Sequence, residues 1–130
     1  MNQLQKCHQF EGCTDIFIDA FRALKHKTSN ANNAFILTHY HADHYSGLPR
    51  GDAYAGPARI HCTPVTANLL REIHRVDFKW IIPHEYDETW IHNGNEVTFY
   101  DANYCPGAAI VLVKVNLRQK KQSSCLLALF

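Results

Sequence analysis

The segment His39-Tyr40-His41-Ala42-Asp43-His44 packs four residues of metal-ligand type into six positions. Alternate residues of an extended segment share a face, so His39 and His41 can aim two imidazoles at one ion. A turn just after them brings Asp43 and His44 round to a second position nearby. Three imidazoles and a carboxylate suit zinc, and two zinc ions about 3.5–4 Å apart can hold and activate a water for hydrolysis. The plain alternative is a His-rich surface loop that binds nothing. The crowding of ligand types between an apolar run and the Gly47-Leu48 turn argues against it. His61, His74, His84 and His92 are scattered, and each reads as a surface or hydrogen-bonded core residue and not as a ligand.

The elements that must position this segment are legible on either side of it. Ala34-Phe35-Ile36-Leu37 is a fully apolar run of the buried-strand type that stops one residue short of His39. Asp15 to Ile18 reads as a strand ending on the carboxylate of Asp19, and the polar stretch 25–33 between the two as a surface loop. After a long loop punctuated by Gly47, Pro49, Gly51 and Gly56, Arg59 to Cys62 reads as a third strand. Thr63 then supplies an N-cap, with Pro64 at the first helical position. Val65, Leu69, Leu70 and Ile73 fall on one helical face, which is expected to pack on the sheet. Glu96 to Tyr100 alternates as a strand ending at Asp101, and Ala108 to Val115 is an apolar, β-branched run. Residues 117–122 read as a polar turn, and 123–130 as an apolar tail that stops mid-strand without a partner. This order of elements suits a mixed α/β sandwich.

With 46% hydrophobic and 19% charged residues the chain is folded and globular. Its 130 residues make one domain at most, which is short for an enzyme built on two stacked sheets, so a truncated domain is expected. The formal net charge of +1 lacks the basic footprint of a dedicated nucleic-acid binder, so a DNA partner must be argued from motifs. No run approaches the roughly 20 apolar residues of a membrane span, and the polar start has no signal-peptide core. The chain reads as soluble and intracellular, with no membrane partner and no small-molecule cofactor. The five cysteines (Cys7, Cys13, Cys62, Cys105, Cys125) are odd in number and irregular in spacing. They read as free thiols of a reducing compartment, and Cys7-His8 with Cys13 does not have the spacing of half a zinc site.

The His-Asp-His loop resembles the hallmark H-x-H-x-D-H of the metallo-β-lactamase superfamily. Three further segments narrow the resemblance: Ile18-Asp19-Ala20-Phe21-Arg22, Thr66-Ala67-Asn68-Leu69-Leu70 and Asp101-Ala102-Asn103-Tyr104-Cys105-Pro106-Gly107-Ala108. With them the chain is similar to the nucleic-acid-processing β-CASP branch, and within it to the DNA cross-link repair 5′-exonucleases. The resemblance covers about Phe17 to Val113. It implies a four-layer αββα fold, present here as its N-terminal half and without a β-CASP domain. It also implies a nuclear, zinc-dependent nuclease that hydrolyses phosphodiester bonds of damaged DNA from a 5′ end.

Carried over residue by residue, the resemblance makes His39 and His41 ligands of a first zinc and Asp43 and His44 ligands of a second, with Asp43 also counted as catalytic. Asp19 corresponds to the family's first acidic position, which orients the ligand loop from behind. The sequence departs from the pattern at Tyr104, which stands where the family places a third zinc-binding histidine. A phenol of pKa about 10 is a poor zinc ligand at neutral pH. A bridging aspartate, expected after the next strand, is also missing. One or two weakly held zinc ions and feeble cleavage by these 130 residues are therefore expected. Two other functions remain open: another hydrolase of the same superfamily, which should lack the Asp-Ala-Asn-x-Cys-Pro-Gly-Ala segment, and a catalytically silent binding module.

Overall fold

The computed structural model describes residues 9–10, 13–26, 31–115 and 125–127, with side chains described at 15–24 and 31–115. One sheet runs β1 (Gln9–Phe10), β2 (Cys13–Ile18), β3 (Ala34–Ile36), β4 (Arg59–Cys62), β5 (Ile81–Pro83); β1 is antiparallel to β2 and the other neighbours pair parallel. A second, antiparallel sheet runs β6 (Thr89–His92), β7 (Asn95–Asp101), β8 (Ala109–Lys114), β9 (Cys125–Leu127).

Strand side chains alternate between faces, and here each face has its own core. Ile16, Ile18 and Ile36 meet Val97, Phe99, Val111 and Val113 between the two sheets. Phe17 and Phe35 point the other way, stacked on each other at 4.8 Å, and join Phe21, Leu37, Ile60 and Leu70. Burial on both faces explains why residues 34–37 show no polar alternation. β8, with one side more open, alternates between buried and less buried positions.

The longer described helix, α2 (Pro64–Glu72), covers the outer face of the parallel sheet; α1 is the single turn Ala42–Tyr45. Thr63 caps α2 as expected, its hydroxyl accepting from the Thr66 amide at 3.5 Å with Pro64 following. The face that α2 buries differs from the one expected. Thr66, Ala67 and Leu70 go inside, while Val65 and Ile73 are exposed. Thr66 can be buried because its hydroxyl reaches the Gly107 carbonyl, a contact that hydrophobic periodicity does not register. The apolar tail is also not unpaired: Cys125–Leu127 lies against Val111–Val113 of β8. The layers are α2, parallel sheet and antiparallel sheet, a truncated αββα arrangement. Among the described residues no helix covers the outer face of the second sheet.

Candidate functional site

Parallel strands bring their C-terminal ends to one edge, and the His-rich segment emerges there. The edge is laced by main-chain bonds: the Asp19 amide donates to Ile36 O at 2.8 Å, Leu37 to His61 O at 3.1 Å, and Ala109 of the second sheet to Thr38 O at 2.9 Å. Asp19 is buried and left-handed (φ 53°), a conformation that aspartate tolerates better than most residues. Its Oδ1 accepts from the Thr38 amide at 2.8 Å. Its Oδ2 accepts from the Thr38 hydroxyl and from His44 Nδ1, each at 2.7 Å. Thr38 Oγ1 also lies 2.9 Å from His39 Nδ1.

The imidazoles of His39, His41 and His44 gather in front of this support, with ring centroids 4.6 Å apart for His39 and His41 and 4.1 Å for His39 and His44. Burial lowers the His39 pKa below 6.5. His44 and His41 push the same way, while Asp19 and Asp43 oppose. The turn α1 is closed by the His41 carbonyl, which accepts from the His44 and Tyr45 amides at 2.9 and 3.0 Å; no side chain is spent on capping it. Asp43 is directed to solvent, with 84% of its side chain exposed and Oδ2 3.7 Å from His44 Nε2.

Two supports fix the turn. Gly47 (φ 99°) sits so close to the segment after Asp19 that a Cβ there would lie 2.6 Å from the Arg22 amide nitrogen. Tyr40 stacks on Tyr45 at 4.5 Å and donates to His74 Nδ1 at 3.0 Å, while His74 Nε2 donates to Leu48 O at 3.0 Å. His74 is thus the hydrogen-bonded core residue that its sequence context suggests.

Tyr104 stands beside the imidazoles, half exposed, with its ring edge-on to His39 and His41 at centroid distances of 5.3 and 5.8 Å. Its loop is held by Gly107 (φ 84°), whose carbonyl accepts from Thr63 Oγ1 at 2.7 Å and Thr66 Oγ1 at 3.3 Å. A Cβ on Gly107 would lie 2.9 Å from Thr66 Oγ1 and 3.0 Å from Val65 Cβ. A cavity of about 350 Å³ opens along this loop, bounded by Tyr86, Asp101 and residues 103–107, so Tyr104 belongs both to it and to the imidazole cluster.

The donor chemistry fits zinc: three imidazoles, two of them backed through Nδ1 by an acidic network, the support that metal-binding histidines usually have. The gathering of donors is incomplete. Among the described residues no three His, Cys, Asp or Glu side chains stand together so as to hold an ion. Asp43 is solvent-exposed with Oδ2 3.7 Å from His44 Nε2, and Tyr104 sets an aromatic edge beside His39 and His41.

A second histidine group was not foreseen. His61 Nδ1 and His84 Nε2 are 2.8 Å apart, and both rings stack on Trp90, at 4.4 and 4.1 Å. Burial, with His84, His92 and Arg59 adding to it, pushes the His61 pKa down to about 3; burial takes His84 to about 4. The residues read as scattered because 23 positions separate the pair. Only the pairing of β4 with β5 brings them together. Cys62 is buried and free, and Cys105 is free in the Tyr104 loop. Cys7 and His8 lie outside the described residues. No described helix is long and apolar enough to cross a membrane.

No protein-family profile matches the chain. Among characterised proteins, DNA cross-link repair protein SNM1 of Arabidopsis thaliana is 41% identical over 98 residues, 75% of this chain and 19% of that protein. DNA cross-link repair 1A protein of Homo sapiens is 35% identical over 99 residues, 76% of this chain and 9% of that protein. The 5′ exonuclease Apollo of Gallus gallus is 38% identical over 81 residues, 60% of this chain and 16% of that protein. The chain spans less than a fifth of the length of these relatives. Over the matched stretch the chain is similar to DNA cross-link repair proteins, in keeping with its resemblance to the β-CASP branch of the metallo-β-lactamase superfamily.

Proposed function

We infer that the chain contributes to a nuclear, zinc-dependent nuclease that hydrolyses phosphodiester bonds of damaged DNA from a 5′ end. His39, His41, Asp43 and His44 act as the zinc ligands and Asp19 orients them from behind. The observation that carries the reading is the imidazole cluster at the ends of the parallel strands, backed by the Asp19 carboxylate. The relatives named for cross-link repair and for 5′ exonuclease activity supply the substrate class.

When bound, zinc supplies a Lewis acid that lowers the pKa of water and neutralises charge at the phosphodiester. The chain's own residues set the stage for that chemistry. Asp19 Oδ2 accepts a hydrogen bond from His44 Nδ1 and so orients that ring. The Thr38 amide fixes the carboxylate in place. Asp43, on α1, already sets a carboxylate oxygen 3.7 Å from His44 Nε2, at the exposed side of the cluster. No protein nucleophile is required.

Tyr104 favours a second reading, a silent module of the same fold that engages DNA without cutting it, since it sets a phenol where an imidazole would complete the first zinc site. Incubation with 5′-phosphorylated single-stranded DNA and zinc separates the two, using the chain alone and the Tyr104→His variant. Zinc-dependent loss of 5′ nucleotides that rises in the variant supports the nuclease. DNA binding without cleavage in either protein supports the silent module.

A further inference from the structure

Thr38 is buried completely, one residue ahead of the first histidine, and its hydroxyl touches two groups at once. A carboxylate only accepts, so the single hydroxyl hydrogen is committed to Asp19 Oδ2 at 2.7 Å. Toward His39 Nδ1, 2.9 Å away, the same oxygen can then only accept. His39 must carry its hydrogen on Nδ1, which leaves Nε2 as the unprotonated nitrogen of the neutral ring. His44 is set in the same sense without an intermediary, through Nδ1 on the same carboxylate oxygen.

We propose that Thr38 is a positioning residue that selects the tautomer and ring orientation of His39, relaying the Asp19 carboxylate to an imidazole that the carboxylate does not itself touch. One acidic group thereby orders two histidines, His44 directly and His39 through the hydroxyl. Backbone geometry reinforces the relay. The Thr38 amide holds Asp19 Oδ1 at 2.8 Å, and the Thr38 carbonyl accepts from Ala109 of the other sheet at 2.9 Å, so the hydroxyl is anchored from both layers. That His39 presents Nε2 to a metal rests on the zinc reading above; the tautomer assignment does not.

The test uses the 130-residue chain, without metal, labelled with ¹⁵N on histidine, and its Thr38→Ser and Thr38→Val variants. Long-range proton–nitrogen correlation spectra distinguish the Nδ1–H from the Nε2–H form. The expected result is Nδ1–H for both His39 and His44 in the parent and in Thr38→Ser. In the nearly isosteric Thr38→Val, His39 loses that preference while His44 keeps it. An Nε2–H form of His39 in the parent overturns the proposal even if the valine variant fails to fold, and so does an unchanged His39 signal in a folded Thr38→Val protein. Zinc titration against a chromophoric chelator then reads the consequence: Thr38→Val binds about 10–100-fold more weakly than the parent and Thr38→Ser does not. Equal affinity in all three proteins contradicts a positioning role. Zinc that leaves the parent's His39 signals unmoved sinks the ligand assignment instead, and the tautomer comparison still decides what Thr38 does.

Discussion

Acid should unfold this protein through His61, and the size of the effect follows from the ring's surroundings. His61 is 7% exposed, stacked on Trp90 and bonded to His84, and its pKa of about 3 stands well below the 6.5 of a free imidazole. The folded ring stays neutral while the unfolded one takes up a proton below pH 6.5. Stability is therefore whole above that pH and lost as pH falls toward 3. Between pH 6.5 and 4.5 the unfolded state gains about 1.4 kcal/mol per pH unit, or roughly 3 kcal/mol from His61. That is a large share of the 5–15 kcal/mol typical of a domain. His84 shifts in the same direction from a more open position, and His39 and His74 follow. The contribution of His61 is isolated by comparison with His61→Leu. Urea unfolding followed by far-UV circular dichroism at half-unit steps from pH 7.5 to 4.5 gives both slopes. The parent should lose stability along this range, and the variant should lose about 3 kcal/mol less of it. At pH 7.5 the variant should itself be weaker by about 1–3 kcal/mol, having left His84 without its partner. Equal acid slopes for the two proteins would refute the assignment.

Two further outcomes test the packing that positions the cluster. Gly107→Ala should cost about 1–3 kcal/mol in denaturant titration, because φ is 84° and the new Cβ meets Thr66 Oγ1 at 2.9 Å; a neutral result means that the loop carrying Tyr104 is looser than its bonds to Thr63 and Thr66 imply. Leu70→Ala removes the most deeply buried apolar side chain of α2 and should cost about 2–5 kcal/mol. A loss below 1 kcal/mol would mean that α2 is not held by this contact.

Much of the scaffold was legible because it obeys short-range rules. The apolar run 34–37, the strand 59–62 and the Thr63-Pro64 helix start depend on periodicity and capping, and each appears within a residue or so of its expected place. β6 was missed although its signal was present: Asn93-Gly94, both with positive φ, joins Thr89–His92 to β7 as a tight hairpin turn. β5, only Ile81–Pro83, is too short to announce itself by period. The burial of Thr66, the stacking of His61 and His84 on Trp90, and the relay through Thr38 join residues whose partners are fixed by sheet pairing and loop return. At the candidate site, residue types and their spacing pointed to the imidazole cluster, and the family resemblance to Tyr104 beside it. The exposure of Asp43 was not legible, because a single helical turn is too short for periodicity to tell which side faces solvent.

Zinc titration with a competing chelator on the parent, Tyr104→His and His41→Ala proteins tests most directly whether His39, His41, Asp43 and His44 form a zinc centre whose first site, that of His39 and His41, is left a ligand short by Tyr104. The parent should bind zinc weakly, Tyr104→His tighter by roughly tenfold or more, and His41→Ala not at all at this site. Zinc affinity that is the same in all three proteins, or no gain in Tyr104→His, would contradict this assignment.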